Sequence, residues 1–368
     1  MARGHGAGRR WALVVTVVAV LAALPALIGS LPASDSRTSA AELRAAALAS
    51  DRVGFAGYAE SAGGLALPVT DQLSSVADLF SARTTMRVWW RGGQDNRVDV
   101  VTAIGETDVH RDPAGSWTWD YESNRATRTD AAPLALPAAT DLLPSTLGRR
   151  LLSEAAGGEL SRIGARRVAG RDALGLRLVP AAAASSVSRM DVWVDATSGL
   201  PLQVQLFSAG AAVPALDSRF IDLQLATPPA GVIAFSPPAG ATVVQGQDPE
   251  ILQEAGLRLA ELPLPDSLAG LPRRTLTGAP DAIGLYGIGV TLLAVAPVPR
   301  RLSGDLRRAA AGSPGAVTDQ LGTRLSAGPL GIMLVGSPGG TQYLLTGTVT
   351  LDALAQAARA LPDVRRQP

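Results

Sequence analysis

The stretch from Thr84 to Thr129 constrains the fold more than any other, because it carries four of the six tryptophans and alternates with a period of two. Met86, Val88 and Trp90 alternate with Arg87, Trp89 and Arg91, and Val98 and Val100 alternate with Arg97 and Asp99. Trp117, Trp119 and Tyr121 alternate with Ser116, Thr118, Asp120 and Glu122. Successive β side chains point to opposite faces, so each run predicts a strand with one apolar and one polar face. Turn-forming residues separate the runs: Gly92-Gly93-Gln94-Asp95-Asn96, then Gly105, then Asp112-Pro113-Ala114-Gly115. The pattern predicts an antiparallel meander with one dry face.

Other elements extend it on both sides. Thr38 or Ser39 caps a short helix running to Ser50, and Val53 to Glu60 reads as a first strand. Leu73, Val76, Ala77 and Phe80 fall at i, i+3, i+4 and i+7, which predicts an amphipathic helix from Asp71 to Phe80. It is either a packed helix or a lid, with Leu73, Val76 and Phe80 as the residues that would close over the sheet. After an Ala/Leu/Pro-rich linker a second helix starts at Ser145, and strands follow at Leu174 to Val179, Met190 to Val194 and Leu202 to Phe207. Eight to eleven strands are more than an open sheet keeps without curling, and curling puts the dry face inside. Its expected lining is Val88, Trp90, Val98, Val100, Trp117, Trp119, Tyr121, Leu176, Leu178, Val192, Val194, Val204 and Leu206. Few helices are available to cover so large a face, which leaves room for an apolar ligand. An acyl chain of about sixteen carbons would contribute up to roughly 12 kcal/mol before ordering costs.

Pro228-Pro229, Pro237-Pro238 and the run from Gln245 to Pro249 mark a boundary. Beyond it Ile283 to Val295, Ala316 to Leu325, Leu330 to Val335 and Gln342 to Val349 read as strands, and Thr350 caps a last amphipathic helix. The expected division is 1–34 signal peptide or membrane anchor, 35–245 half-barrel domain, 246–272 linker and 273–368 small α+β domain. Arg3, Arg9 and Arg10 precede an uncharged run from Trp11 to Ile28, long for a signal peptide and just enough for one span. Under either alternative the rest of the chain lies outside the cytoplasm, secreted or tethered to the cytoplasmic membrane.

The chemical inventory is short. Of 368 residues none is cysteine or lysine, and His110 is the one histidine after the apolar run, His5 preceding it. Thiolate metal sites, Schiff bases and His-dyad metal sites are excluded, and no G-x-S-x-G elbow accompanies His110. His110 reads as a strand-edge residue, and Asp108, Asp112, Asp120 and Glu122 as solvated turn and face residues, since no EF-hand spacing joins them. Gly336-Ser337-Pro338-Gly339-Gly340 lacks the Gly-Lys-Ser/Thr of a phosphate loop and reads as a hairpin turn. Arg149-Arg150 and Arg166-Arg167 read as solvating charges, with contact to an acidic group as the alternative. A formal net charge of +1 gives no footprint for nucleic acid. The arginine-only basic set, with abundant Ala, Gly and Pro, is typical of a GC-rich bacterial genome such as an actinobacterium. We expect no catalytic residue, metal or cofactor.

The order of motifs carries a resemblance: RVWW, RVD, TDVHRD and GSWTWDYESNRATR, then Arg167-Val168-Ala169-Gly170, Asp191-Val192-Trp193-Val194-Asp195 with Ser198-Gly199-Leu200-Pro201, and Phe235-Ser236-Pro237-Pro238. It resembles the LolA-like fold shared by the lipoprotein carrier LolA, the RseB/MucB amino-terminal domain and actinobacterial lipid-binding lipoproteins. The chain departs from the lipoprotein members in lacking their lipobox cysteine. The resemblance implies an α+β protein, with a curved antiparallel sheet as an unclosed half β-barrel, helices over its concave face and a small α+β carboxy-terminal domain. It implies a lipid or acyl-chain carrier or sensor or, as the alternative, an RseB-like regulator that binds an anti-sigma factor or other membrane partner.

Overall fold

The computed structural model describes residues 11, 14–18, 33–63, 83–101, 105–130, 138–246, 264–276, 280–298, 300–336 and 342–361. The expected lid helix with Leu73, Val76 and Phe80, most of the apolar amino-terminal run and residues 337–340 of the expected glycine-rich turn lie outside these residues. Among the described residues no helix is long and apolar enough to cross a membrane.

Helix α1 (Ala40–Ala49) begins in a capping box, in which Ser39 Oγ accepts from the Glu42 amide at 3.2 Å and Glu42 Oε2 accepts from the Ser39 amide at 2.8 Å. Strands β1 (Phe55–Gly63), β2 (Arg83–Gly92), β3 (Asp95–Val101), β4 (Glu106–Asp112), β5 (Gly115–Asp120) and β6 (Arg125–Asp130) follow. After helix α2 (Pro144–Ser153) come β7 (Leu160–Val168), β8 (Arg171–Leu178), β9 (Val187–Asp195), β10 (Pro201–Ser208) and β11 (Leu216–Gln224), a short helix α3 (Ala230–Ile233) and β12 (Thr242–Gln245). All twelve form one sheet in the order β12-β6-β5-β4-β3-β2-β1-β11-β10-β9-β8-β7. Two meanders are therefore joined through the β1–β11 pair, and the sheet stays open between β12 and β7. It is the expected unclosed half-barrel, one strand larger than the expected upper limit.

Helices α1 and α2 lie on one face, which we call inner. Close approach there depends on two glycines. A Cβ on Gly148 of α2 would sit 2.7 Å from Pro201 Cβ. Gly199, at φ +74 in the β9–β10 turn, would put a Cβ 2.6 Å from the carbonyl oxygen of Ala46 in α1. Asp195, buried beside that turn, accepts from Ser198 and is gripped by two Arg171 nitrogens at 2.7 and 3.2 Å.

A smaller unit follows. It contains the two-stranded pair β13 (Ser267–Leu268) and β14 (Leu271–Pro272), and a second sheet of β15 (Gly284–Ile288), β16 (Thr291–Val298), β17 (Val317–Asp319), β18 (Gly322–Ala327), β19 (Leu330–Val335) and β20 (Gln342–Gly347). Its order is β15-β16-β20-β19-β18-β17, with helices α4 (Arg300–Ala311) and α5 (Leu351–Ala360). Two stretches expected as single strands are hairpins, β15–β16 and β17–β18; Gly289 at φ +64 supplies the left-handed position of the first turn. Helix α5 is capped by Thr350 as expected.

The two units are joined by a carboxylate, a loop and an inserted apolar side chain. Glu154, just after α2, accepts from both terminal nitrogens of Arg274 at 2.5 and 2.8 Å and from the amide of Gly289 at 2.8 Å. Ser185 bridges to Val349, and the Thr350 amide donates to Ala184. Val290 inserts into the larger unit's core beside Leu43 and Leu152. Charge-assisted bonds are the strong ones, so Glu154→Ala is expected to remove about 1–3 kcal/mol of coupling. Calorimetry should resolve two transitions in that variant where the parent shows one; an unchanged single transition would contradict the role given to Glu154.

Candidate functional site

Register fixes which side chains share a face, because residues directly opposite on neighbouring strands point the same way. One row runs Leu176, Val192, Val204, Ser218, Ser61 and Thr84 across β8, β9, β10, β11, β1 and β2. A second runs Phe220, Ala59, Met86 and Val100, and a third Leu223, Gly57, Val88, Val98, Val109 and Thr118. Val88, Trp90, Val98, Val100, Leu176, Leu178, Val192, Val194, Val204 and Leu206 therefore do share the inner face, as the alternation predicts.

That face is occupied by the chain's own helices over most of its width. Leu43, Ala47 and Leu152 from α1 and α2 pack with Leu176, Leu178, Val192, Val194 and Val204. Leu142 and Leu143 pack with Met86, Val88, Trp90 and Val98. Trp90 is stacked on Phe55 at 5.8 Å and 8°, and Phe220 meets Phe55 edge-on at 5.3 Å. Towards β4 and β5 the same face is only half-buried, at Val100, Val109 and Thr118.

Trp117, Trp119 and Tyr121 are elsewhere, which corrects the expected lining. Trp117 stands opposite His110, which stands opposite Arg97 and then Trp89; Trp119 stands opposite Asp108, Asp99 and then Arg87. These rows belong to the outer face. Trp117 and Trp119 pack there on Phe235, at 5.7 and 6.2 Å between rings, and Tyr121 is 52% exposed. Phe235 comes from the Phe-Ser-Pro-Pro segment after α3, which folds back over β3 to β5 and gives the second apolar set its cover. The alternation within each strand is as read; the faces of β5 and β2 are opposite.

The same outer layer holds the main concentration of buried charge. Asp99 accepts from Arg97 at 2.6 and 2.9 Å, Asp108 accepts from Arg97 at 2.8 Å and from Tyr121 at 3.4 Å, and Glu106 pairs with Arg87. Asp108 and His110 are buried, so the expectations of a solvated Asp108 and of an edge position for His110 are both overturned. The His110 ring donates from Nδ1 to the carbonyl oxygen of Ile233 at 2.6 Å and lies 4.8 Å from the Phe235 ring. Burial holds its imidazole neutral to below the usual histidine range, only partly offset by that bond. Asp112 and Asp120 are turn residues as expected, bonded to Arg128 and to Ser123.

Asp99, Glu106 and Asp108 bring carboxylate oxygens within 4.8 Å of one another. Arginines already take most of those oxygens, which makes this a charge-compensated network rather than a cage for a hard cation. Three carboxylates face two guanidiniums, and the odd charge is relieved by a proton. Burial and then Asp99 push Asp108 up to about 7, against the pull of Arg97.

Of the arginine pairs, Arg166 and Arg149 lie against tryptophans of their own chain. Arg166 lies 3.9 Å over the Trp193 ring and bonds Gln203, and Arg149 lies 5.8 Å from the Trp90 ring. In the smaller unit a cleft of about 300 Å³ is lined by Asp266, Arg273, Arg274, Thr275 and neighbours, with Arg273 held by the carbonyl oxygens of Leu264 and Asp281.

No family model and no curated protein matches the sequence. Solved structures match the fold. The MucA/MucB complex of Pseudomonas aeruginosa aligns with a TM-score of 0.51 and 19% identity over 89% of this chain and 99% of that one. MucB in complex with MucA(peri) aligns with a TM-score of 0.50 and 18% identity over 89% of this chain and 100% of that one. The LolA superfamily protein NE2245 from Nitrosomonas europaea aligns at 0.26 and 12% identity over 54% and 98%. At 89% coverage the likeness to MucB takes in both sheets. The expected half-barrel followed by a smaller sheet is the observed architecture, and it is similar to that of MucB.

Proposed function

We propose that this chain is an extracytoplasmic regulator that binds a segment of a membrane protein, of the anti-sigma-factor class, with the half-barrel (35–245) and the small domain (273–368) acting together. The observation that carries the proposal is the joint match of both units to MucB, whose solved structures include complexes with MucA. A second support is the filled inner face, where Leu142, Leu143 and Leu152 pack against the apolar side chains of the sheet. A binder of this kind needs no catalytic group. The amino-terminal run from Trp11 to Ile28 would export the chain or tether it beside its partner.

Isothermal titration of the chain with the extracytoplasmic segments of its own organism's membrane anti-sigma factors tests this. Saturable one-to-one binding in about the micromolar range is expected for at least one segment. Failure of every segment would refute the proposal.

The competing reading, lipid or acyl-chain binding in place of a protein partner, rests on the half-buried strip at Val100, Val109 and Thr118. It predicts that Val109→Asp abolishes binding of a fluorescent acyl probe while leaving the fold intact.

A further inference from the structure

Strands β7, β12, β15 and β17 are the edges of the two large sheets, and three of them are guarded. Charges, bulges and covering segments are the devices that keep an edge from pairing with another chain. Strand β7 carries Arg162, Arg166 and Arg167 and a bulge with Gly164 at φ +87. Strand β15 is shielded where Arg273 bridges to Tyr286 and the Arg274 amide donates to the Leu285 carbonyl. Strand β17 has three residues and ends on Asp319, whose carboxylate pairs with Arg324. Strand β12 has neither charge nor bulge: residues 241–246 read Ala-Thr-Val-Val-Gln-Gly, with Thr242, Val243 and Gln245 exposed.

The hydrogen bonds show which groups this edge offers. Alternate residues of a strand turn their N–H and C=O groups to opposite sides. The Thr242 amide donates to the Asn124 carbonyl at 2.9 Å and the Gly246 amide to the Arg128 carbonyl at 2.7 Å, so Thr242, Val244 and Gly246 face β6. Val243 and Gln245 therefore turn their main-chain amides and carbonyls to the open side, where none of the described residues takes them. Side chains supply the complement. Val109, Thr118, Thr127 and Val244 stand opposite one another in a half-buried inner row that ends at β12. An added strand would extend that row by one residue beside Val244, and its neighbours there are all β-branched and uncharged.

We propose that the open side of β12 receives an extended, uncharged peptide segment as an added strand, bonded through the main chain of Val243 and Gln245 and placing a β-branched residue beside Val244. The occupant is a short segment rather than a second copy of this chain, because an edge of four residues falls far short of the roughly 1,000 Å² that a stable pairing of two proteins buries. The source of such a segment rests on the reading of this chain as a binder of a membrane protein; the edge itself is tested with a synthetic peptide.

The test is amide hydrogen exchange of the full chain with the peptide acetyl-Ser-Thr-Val-Thr-Ser-amide and with the same peptide methylated on every backbone nitrogen, which cannot donate. Binding in about the millimolar range is expected, and at about ten times the dissociation constant the first peptide should slow exchange within residues 241–246 about tenfold. The methylated peptide should leave exchange unchanged. Val243→Pro, which deletes one outward amide and keeps the bonds to β6, should abolish the protection at an unchanged melting temperature; if the proline lowers that temperature, the methylated peptide decides. Slow exchange of this stretch in the free chain would mean that the edge is already covered and would overturn the proposal. So would absence of protection at millimolar peptide, equal protection by both peptides, or protection that survives in a normally folded Val243→Pro chain. Failure here while an anti-sigma-factor segment still binds refutes the edge and keeps the partner; protection here with no such segment bound keeps the edge and refutes the partner.

Discussion

Replacing Trp90 by alanine is expected to destabilise the larger unit by about 3–4 kcal/mol, whereas Trp117→Ala is expected to cost only about 1–2 kcal/mol. Trp90 is 3% exposed, stacked on Phe55 and enclosed by the core that includes Leu142 and Val98. Its indole N–H has no acceptor, so truncation removes an unsatisfied donor and the cost falls toward the lower end for a buried tryptophan. Trp117 is half-buried on the outer face, where it touches Phe235 and carries Arg128 at 5.5 Å from its ring. Urea unfolding with an unchanged m-value measures both. Equal losses would mean that the two tryptophans share one environment and that the assignment of opposite faces is wrong.

Acidification should separate two neighbours on β4 by sign. Asp108 in the unfolded chain ionises near its ordinary 3.8, while the folded protein keeps its proton up to about 7. Between those values the folded state binds more protons, so this group's contribution to stability grows as pH falls below about 7. His110 does the reverse: the unfolded chain takes up a proton at 6.5, the buried ring resists it, and stability is lost as pH falls below 6.5. The two contributions therefore oppose each other in the parent. Asp108→Asn leaves only the histidine, and should lose stability as the pH falls below 6.5. His110→Gln, which keeps a donor for Ile233, should instead gain about 2 kcal/mol between about pH 6.5 and 5. Asp112, Asp120 and Asp195, all held below the usual carboxylate range, enter only in more acid solution. Superimposable pH profiles for the three proteins would contradict the buried pair.

Strand identity was legible where alternation is unbroken, as in β2, β3, β5, β8, β9 and β10. It was lost where a bulge breaks the period. In β11 Ile221 is the extra residue between Phe220 and Asp222, so Phe220 and Leu223 share a face three apart; in β7 the register shifts between Arg162 and Ala165, with Gly164 at φ +87. Alternation gives the two faces of one strand but not which face of the next strand matches. Between β3 and β5 lies β4, whose Val109 and His110 side chains leave no clear dry side, and the cover for Trp117 arrives from Phe235, more than a hundred residues later in the sequence. No local window contains that information. Helix α4 keeps a clear amphipathic period, but its many arginines and its internal Ser-Gly pair leave few apolar residues to mark that period and lower its helix propensity.

Native mass spectrometry of residues 35–368, purified without detergent and mixed with the extracytoplasmic segments of its organism's anti-sigma factors, tests the central claim most directly. A one-to-one complex with a partner segment, in a protein that carries no acyl lipid, is the predicted spectrum. A chain that arrives loaded with acyl lipid and takes up none of the segments would contradict the account and make it a lipid carrier instead.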